Sequence, residues 1–221
     1  MICNGYTVVD IYFASHPHLT EGQLEVLQLK NSKIGRMPAL ALLIALIVVL
    51  QSLGGMIPPI GGFTISLVLI PIVLGAALYG PKAGALLGAA FGVLVIIGCV
   101  NGTDVGGQMV FQANPFLCIF VVMLKGIFAG LASGFIYEWL APKNGTLAMV
   151  LAAIVCPVVN TGFFVACMWV FFIDVLAAWA GGGSIIGYVL TGLVLCNFVP
   201  ELIINVVFSF AGQRIVRLIK K

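Results

Sequence analysis

The sequence predicts an all-α integral membrane protein with six transmembrane helices and both termini in the cytoplasm. Three observations carry that prediction. The 221 residues are 62% hydrophobic and only 8% charged, where water-soluble domains carry roughly 25% charge. A chain so poor in charge cannot cover itself with a polar surface in water. Gly80, Gly84, Gly88 and Gly92 recur at every fourth residue, which in a helix sets them on one face. Small residues at that spacing let helix backbones approach closely inside lipid, where apolar surface alone does not drive association. The basic residues fall in alternate connecting segments. With the N-terminus inside, Lys30, Lys33 and Arg36, then Lys82, then Lys143, then Arg214, Arg217, Lys220 and Lys221 all lie inside. The outer loops hold only Asp104 and Asp174. That positive-inside pattern requires an even number of spans and places the chain in a cell membrane as a multi-pass protein. The basic residues cluster at both ends, so the net charge of +3 reports topology and does not call for nucleic acid.

Each element follows from local composition. Residues 1–36 are the water-compatible stretch, read as a cytoplasmic leader ahead of one membrane domain over residues 37–221. Thr20 and Gln23 form a capping box before Leu24, Val26 and Leu27, so the leader is either a surface helix or unstructured. His16-Pro17-His18 supplies too few ligands for a structural metal site. Helix one is Met37 to Gly54, with Ala41 and Ala45 as a small-xxx-small pair. An uncharged Gly/Pro loop follows, then helix two from Phe63 to Tyr79. Tyr79-Gly80-Pro81-Lys82 is a tight turn, and helix three runs from Ala83 to Val100. Asn101 to Asn114 reads as a polar outer loop. Helix four is Pro115 to Leu140, with a second ladder at Gly126, Gly130 and Gly134. Helix five is Thr146 to Phe172, broken or kinked near Pro157. Asp174 to Ser184 is a second outer loop. Helix six runs from Ile185 to about Ile219, with Pro200 near its middle.

Several chemistries are excluded. Gly75 to Ala83 looks superficially like a phosphate loop, but Pro81 removes an amide donor and no Ser or Thr follows Lys82. The chain therefore has no ATPase of its own. Its six cysteines show no metal or redox spacing. No Ser/His/Asp set or paired catalytic carboxylates lie in the membrane region, so an enzyme is not expected, nor a cofactor.

The polar groups inside the spans are the candidates for function. Lys125 lies about ten residues into helix four, roughly 15 Å deep. Glu201 lies at similar depth beside Pro200. Asn160 and Thr161 on helix five, with Asn197 and Asn205 on helix six, share that layer. An isolated charge there costs several kcal/mol. Two readings follow: these groups bind one another and hold the bundle, or they line a cavity that takes a ligand. Trp169, Phe171, Phe172 and Trp179 near the outer rim either form an interfacial belt or stack on a planar ligand.

Several fragments, in order, resemble one family. They are Ala41-xxx-Ala45; Ile70-Pro71-Ile72 through Gly80-Pro81-Lys82-Ala83-Gly84-Ala85; Phe111-Gln112-Ala113-Asn114-Pro115; Leu124-Lys125-Gly126; Asn160-Thr161-Gly162; and Pro200-Glu201-Leu202-Ile203-Ile204-Asn205. Together they are similar to the substrate-binding S component of an energy-coupling factor (ECF) vitamin transporter, over roughly Arg36 to Leu218. The resemblance implies a binding module without catalysis. It implies a transmembrane coupling protein and two cytoplasmic ATPases as partners, with Ala41 and Ala45 meeting the coupling protein. A water-soluble vitamin would sit near the outer side among helices four to six, with Asn114, Lys125, Asn160, Trp169, Asn197 and Glu201 as candidate ligand contacts. Residue types do not choose among riboflavin, pantothenate, cobalamin and folate, with riboflavin or pantothenate slightly favoured. The other reading is a stand-alone secondary transporter or channel, which commonly shows two similar halves; no convincing internal repeat is present.

Overall fold

The computed structural model describes residues 33–54 and 67–220, all of it helix and short connections, with no strand among the described residues. The expected leader up to residue 32 and the Gly/Pro loop after Gly54 lie outside the described residues. The chain divides into two units, Met1–Ala41 and Leu42–Lys221. Of the first unit, only the opening of helix α1 (Lys33–Gly54) is described. The second unit is a helical bundle.

Its elements follow in chain order: the rest of α1, α2 (Leu69–Tyr79), α3 (Pro81–Asn101), α4 (Val105–Ala113), α5 (Pro115–Leu140), α6 (Gly145–Phe171), α7 (Ile173–Trp179), α8 (Ile185–Tyr188), a π-helical segment (Val189–Phe198) and α9 (Val199–Lys220). Five stretches are long and apolar enough to cross a membrane: Met37–Gly54, α3, α5, α6 and the continuous run Ile185–Ile219. The expected second span appears as the shorter α2, and Phe63 to Ser66 lie outside the described residues. Apolar side chains cover the outside of the bundle; Phe116 is 86% exposed and Val170 70%. In water that surface would aggregate; in hydrocarbon it is ordinary.

Three local expectations change. Gly80 does not join the glycine face of α3. It sits between α2 and α3 at φ 92°, a conformation that glycine adopts without a Cβ clash. Its N–H donates to the Ala76 carbonyl, and Pro81 starts α3 at the position where a missing N–H costs nothing. The two outer loops each contain a helix. Asp104 accepts from the Gly107 N–H at 2.9 Å and so starts α4 within the expected loop Asn101 to Asn114. Ile173–Trp179 likewise forms α7 inside the second loop. Pro157 does not break α6, which is continuous from Gly145 to Phe171. The irregularity lies in the last span. Pro200 has no N–H to give the carbonyl four residues before it, and the chain winds wider ahead of it, with Val199 N–H bonded to the Val194 carbonyl five residues back.

The packing is anchored where α3 meets α5. A Cβ on Gly84 or Gly88 would overlap the carbonyl oxygens of Gly130 and Gly126, and the reverse holds for Gly126 and Gly130. Gly134 faces the backbone of Pro81, whose Cα would lie 2.5 Å from an added Cβ. The two sequence ladders therefore face each other, and their helices touch backbone to backbone. Helix α6 packs on the other side of α5, and α9 lies against α6 and α2.

Candidate functional site

A cavity of about 80 Å³ lies between α3, α5, α6 and the last span, with Gln51 of α1 and Asp104 and Gly107 at the start of α4 also on its wall. Its charged and polar lining comes from spans that hydrophobicity alone would have made blank. Lys125 sits on α5 one residue before Gly126, so the glycine contact with α3 fixes the height and rotation of the lysine. Its ammonium lies 4.7 Å from the centre of the Phe164 ring and 5.9 Å from that of Phe91. Both rings offer their electron-rich faces to the cation. Asn160 and Thr161 reach the cavity from α6, and Asn197 and Glu201, four residues apart, from the last span.

The acceptors on this wall lack donors. Asn160 Oδ1, Asn197 Oδ1 and Glu201 Oε1 are buried atoms without a hydrogen-bond partner. Glu201 is 1% exposed and Asn160 6%. Among the described residues no ion pair joins Lys125 to Glu201. The cavity thus brings the expected pair onto one wall without a direct bond between them, leaving a cation at one place and unfilled acceptors at another. Buried acceptors in that state cost about 1–3 kcal/mol each until a donor arrives. No group of three or more His, Cys, Asp or Glu among the described residues could hold a metal ion.

The four residues Lys125, Asn160, Asn197 and Glu201 therefore meet at one cavity, as the intramembrane polar pattern suggests. Asn114 and Trp169 do not line it. Asn114 caps α5, its Oδ1 accepting from the Leu117 N–H at 3.1 Å, and a cap is what an Asn directly before Pro115 is built for. Trp169 lies 46% exposed on the outer face of α6. There it borders an apolar groove of about 620 Å³ with Val165, Val170 and Phe198. Phe91 and Phe164, which flank the lysine, went unmarked in the sequence. Phe164 is four residues past Asn160, so a helical wheel of that span places both on one side.

Above the cavity the two short outer helices are tied together. Trp179 Nε1 of α7 donates to Met109 Sδ of α4 at 3.2 Å, and the Trp179 ring leans on Tyr188 at 6.2 Å. Since Asp104 and Gly107 belong to the cavity wall, any motion of α4 changes its outer rim.

Comparison with known proteins matches residues 36–211 to the family described as ECF transporter, substrate-specific component. The chain is also 26% identical over 196 residues to the pantothenic acid transporter PanT of Lactococcus lactis subsp. cremoris (strain MG1363), covering 83% of this chain and 94% of that protein. No solved structure matches it.

Proposed function

The chain belongs to the family of ECF transporter substrate-specific components, and from that premise we propose that it captures pantothenate for uptake driven by a separate energy-coupling module. The carrying observation is the division of the cavity wall into a cation, Lys125, and three donor-less acceptors on Asn160, Asn197 and Glu201. Pantothenate has the matching parts: a carboxylate for the ammonium, and two hydroxyls and an amide N–H for the acceptors. Riboflavin carries no carboxylate, so it leaves Lys125 without a charged partner. The similarity to a pantothenic acid transporter supports the same choice. A charge-assisted hydrogen bond is about twice as strong as a neutral one, and the lysine's ring neighbours keep competing water from part of its surface.

On this reading a coupling membrane protein and two cytoplasmic ATPases supply the work. Ala41 and Ala45 lie on the exposed side of α1, and such a small face suits close contact with another helix. Both termini face the cytoplasm, in line with the distribution of basic residues. The test is equilibrium binding of labelled pantothenate and riboflavin to the purified chain, then uptake in liposomes. Pantothenate should bind the wild type, Lys125→Ala should weaken it more than about tenfold, and Lys125→Arg should recover part of the loss. Riboflavin binding in its place would refute the ligand. Gradient-driven uptake by the chain alone would refute the binding-module reading and restore the stand-alone transporter.

A further inference from the structure

We propose that Cys99 and Cys118 form a reversible disulfide on the wall of the cavity, a redox-modification site that tethers the outer helix α4 to the bundle. The two cysteines lie nineteen residues apart, a spacing that matches no redox motif. The glycine clamp brings them together. Cys99 stands two turns beyond Gly92 on α3, and Cys118 one turn before Val122 on α5. A Cβ on Gly92 would rest 3.2 Å from the Val122 carbonyl oxygen. Carried past that contact, the two thiols meet, and their side chains hydrogen-bond each other.

Both cysteines are 1% exposed, yet both line the cavity, so a small solute that enters it meets sulfur. Cys156, by contrast, is 0% exposed, bonds to the Ser133 side chain and does not border the cavity. No group of three or more His, Cys, Asp or Glu among the described residues could hold a metal ion, which leaves oxidation as the chemistry of the thiol pair. On the positive-inside orientation both sulfurs lie toward the outer ends of their helices, the side on which disulfides persist.

The oxidant is a small hydroperoxide. For hydrogen peroxide, one thiol loses its proton and its sulfur attacks a peroxide oxygen. The O–O bond breaks, a sulfenic acid forms, and the departing hydroxide leaves as water with that proton. The second sulfur, its own proton lost, attacks the sulfenyl sulfur; the S–S bond forms, the S–O bond breaks, and a second water leaves. Two electrons pass from the sulfur pair to the peroxide. The bridge closes a chain loop from Cys99 to Cys118 that contains all of α4 (Val105–Ala113). Gly107 of α4 already abuts the pair, since an added Cβ there would overlap Cys99 Sγ. Oxidation therefore shortens the tether of α4 and stiffens the cavity's outer rim, whichever solute the cavity takes.

The test uses the full chain in lipid nanodiscs, without ligand, treated with hydrogen peroxide. The protein is then denatured, labelled with a thiol reagent and mapped by peptide mass spectrometry. Labelling at Cys99 and Cys118 should fall together by about tenfold or more, with a Cys99–Cys118 cross-linked peptide in its place, and a dithiol reductant should restore both. Cys156 should keep its label. Backbone amides of α4 should exchange about three- to tenfold more slowly in the oxidised protein than in the reduced one. Cys118→Ala should leave Cys99 as a sulfenic acid that dimedone captures; should that variant not fold, the wild-type map decides alone. Full labelling of both residues at a peroxide dose that oxidises the half-buried Cys196 would overturn the proposal. Loss of label without the Cys99–Cys118 cross-link would also overturn it. A bridge that forms with no change in α4 exchange would overturn the tether.

Discussion

The α3–α5 contact and the contact between α6 and the last span are built on opposite principles. In the first, glycines on both helices remove every side chain, so backbones meet and nothing is left between them. In the second, the helices pack on each other but leave a cavity whose wall includes Asn160, Thr161, Asn197 and Glu201. Glycine behaves differently in the two places. Gly88 meets the carbonyl of Gly126, whereas Gly162 on α6 has nothing within 4 Å of where a Cβ would be. The first region acts as a clamp that fixes the height and rotation of α5, and so of Lys125. The second leaves a cavity with polar groups on its wall. Rigidity on one side of α5 is what lets the other side stay open without the bundle losing its form.

Four substitutions sharpen or break this contrast. Gly88→Val should be the most harmful, costing about 3 kcal/mol or more, because the added atoms meet backbone that has no rotamer to change. Unfolding midpoint and yield of monodisperse protein measure it; a loss under about 1 kcal/mol would show that the clamp is soft. Asn114→Ala should cost about 1 kcal/mol through loss of the α5 cap, with ligand affinity unchanged by calorimetry. A parallel drop in affinity would return Asn114 to the binding site. Trp179→Phe removes the N–H···S hydrogen bond between the outer helices, worth about 0.5–1.5 kcal/mol. Ligand release should quicken two- to fivefold in stopped-flow traces, and an unaltered release rate would detach the outer helices from access. Gly162→Ala should raise stability slightly, by about 0.5 kcal/mol, since the space is free and Ala favours helix. A destabilised variant would mean that the α6 face is occupied.

Much of the fold was legible before the coordinates. Helix four, Pro115 to Leu140, agrees end to end with α5, because Asn114-Pro115 is a strong start signal and its turn Pro142-Lys143-Asn144 a clear stop. Helix five is displaced by a single residue at each end. The outer helices α4 and α7 escaped notice, since Gly106-Gly107 and Ala177-Ala178 read as loop and only the Asp104 cap and the neighbouring spans make them helical. On the cavity wall, Lys125, Asn160, Asn197 and Glu201 were visible because hydrocarbon makes any buried polar group conspicuous. Trp169 and Asn114 lie off this cavity's wall, Asn114 as the cap of α5 and Trp169 on the exposed face of α6.

From residue order alone came the membrane setting, the lengths of most spans and the depth of the polar layer, because lipid penalises charge and unpaired backbone wherever they fall. Which polar residues look at one another was left to the tertiary structure. A span that is apolar on every side has no wet face to mark its rotation, and here that rotation is settled only when the glycines of α3 and α5 lock together and the last span widens before Pro200.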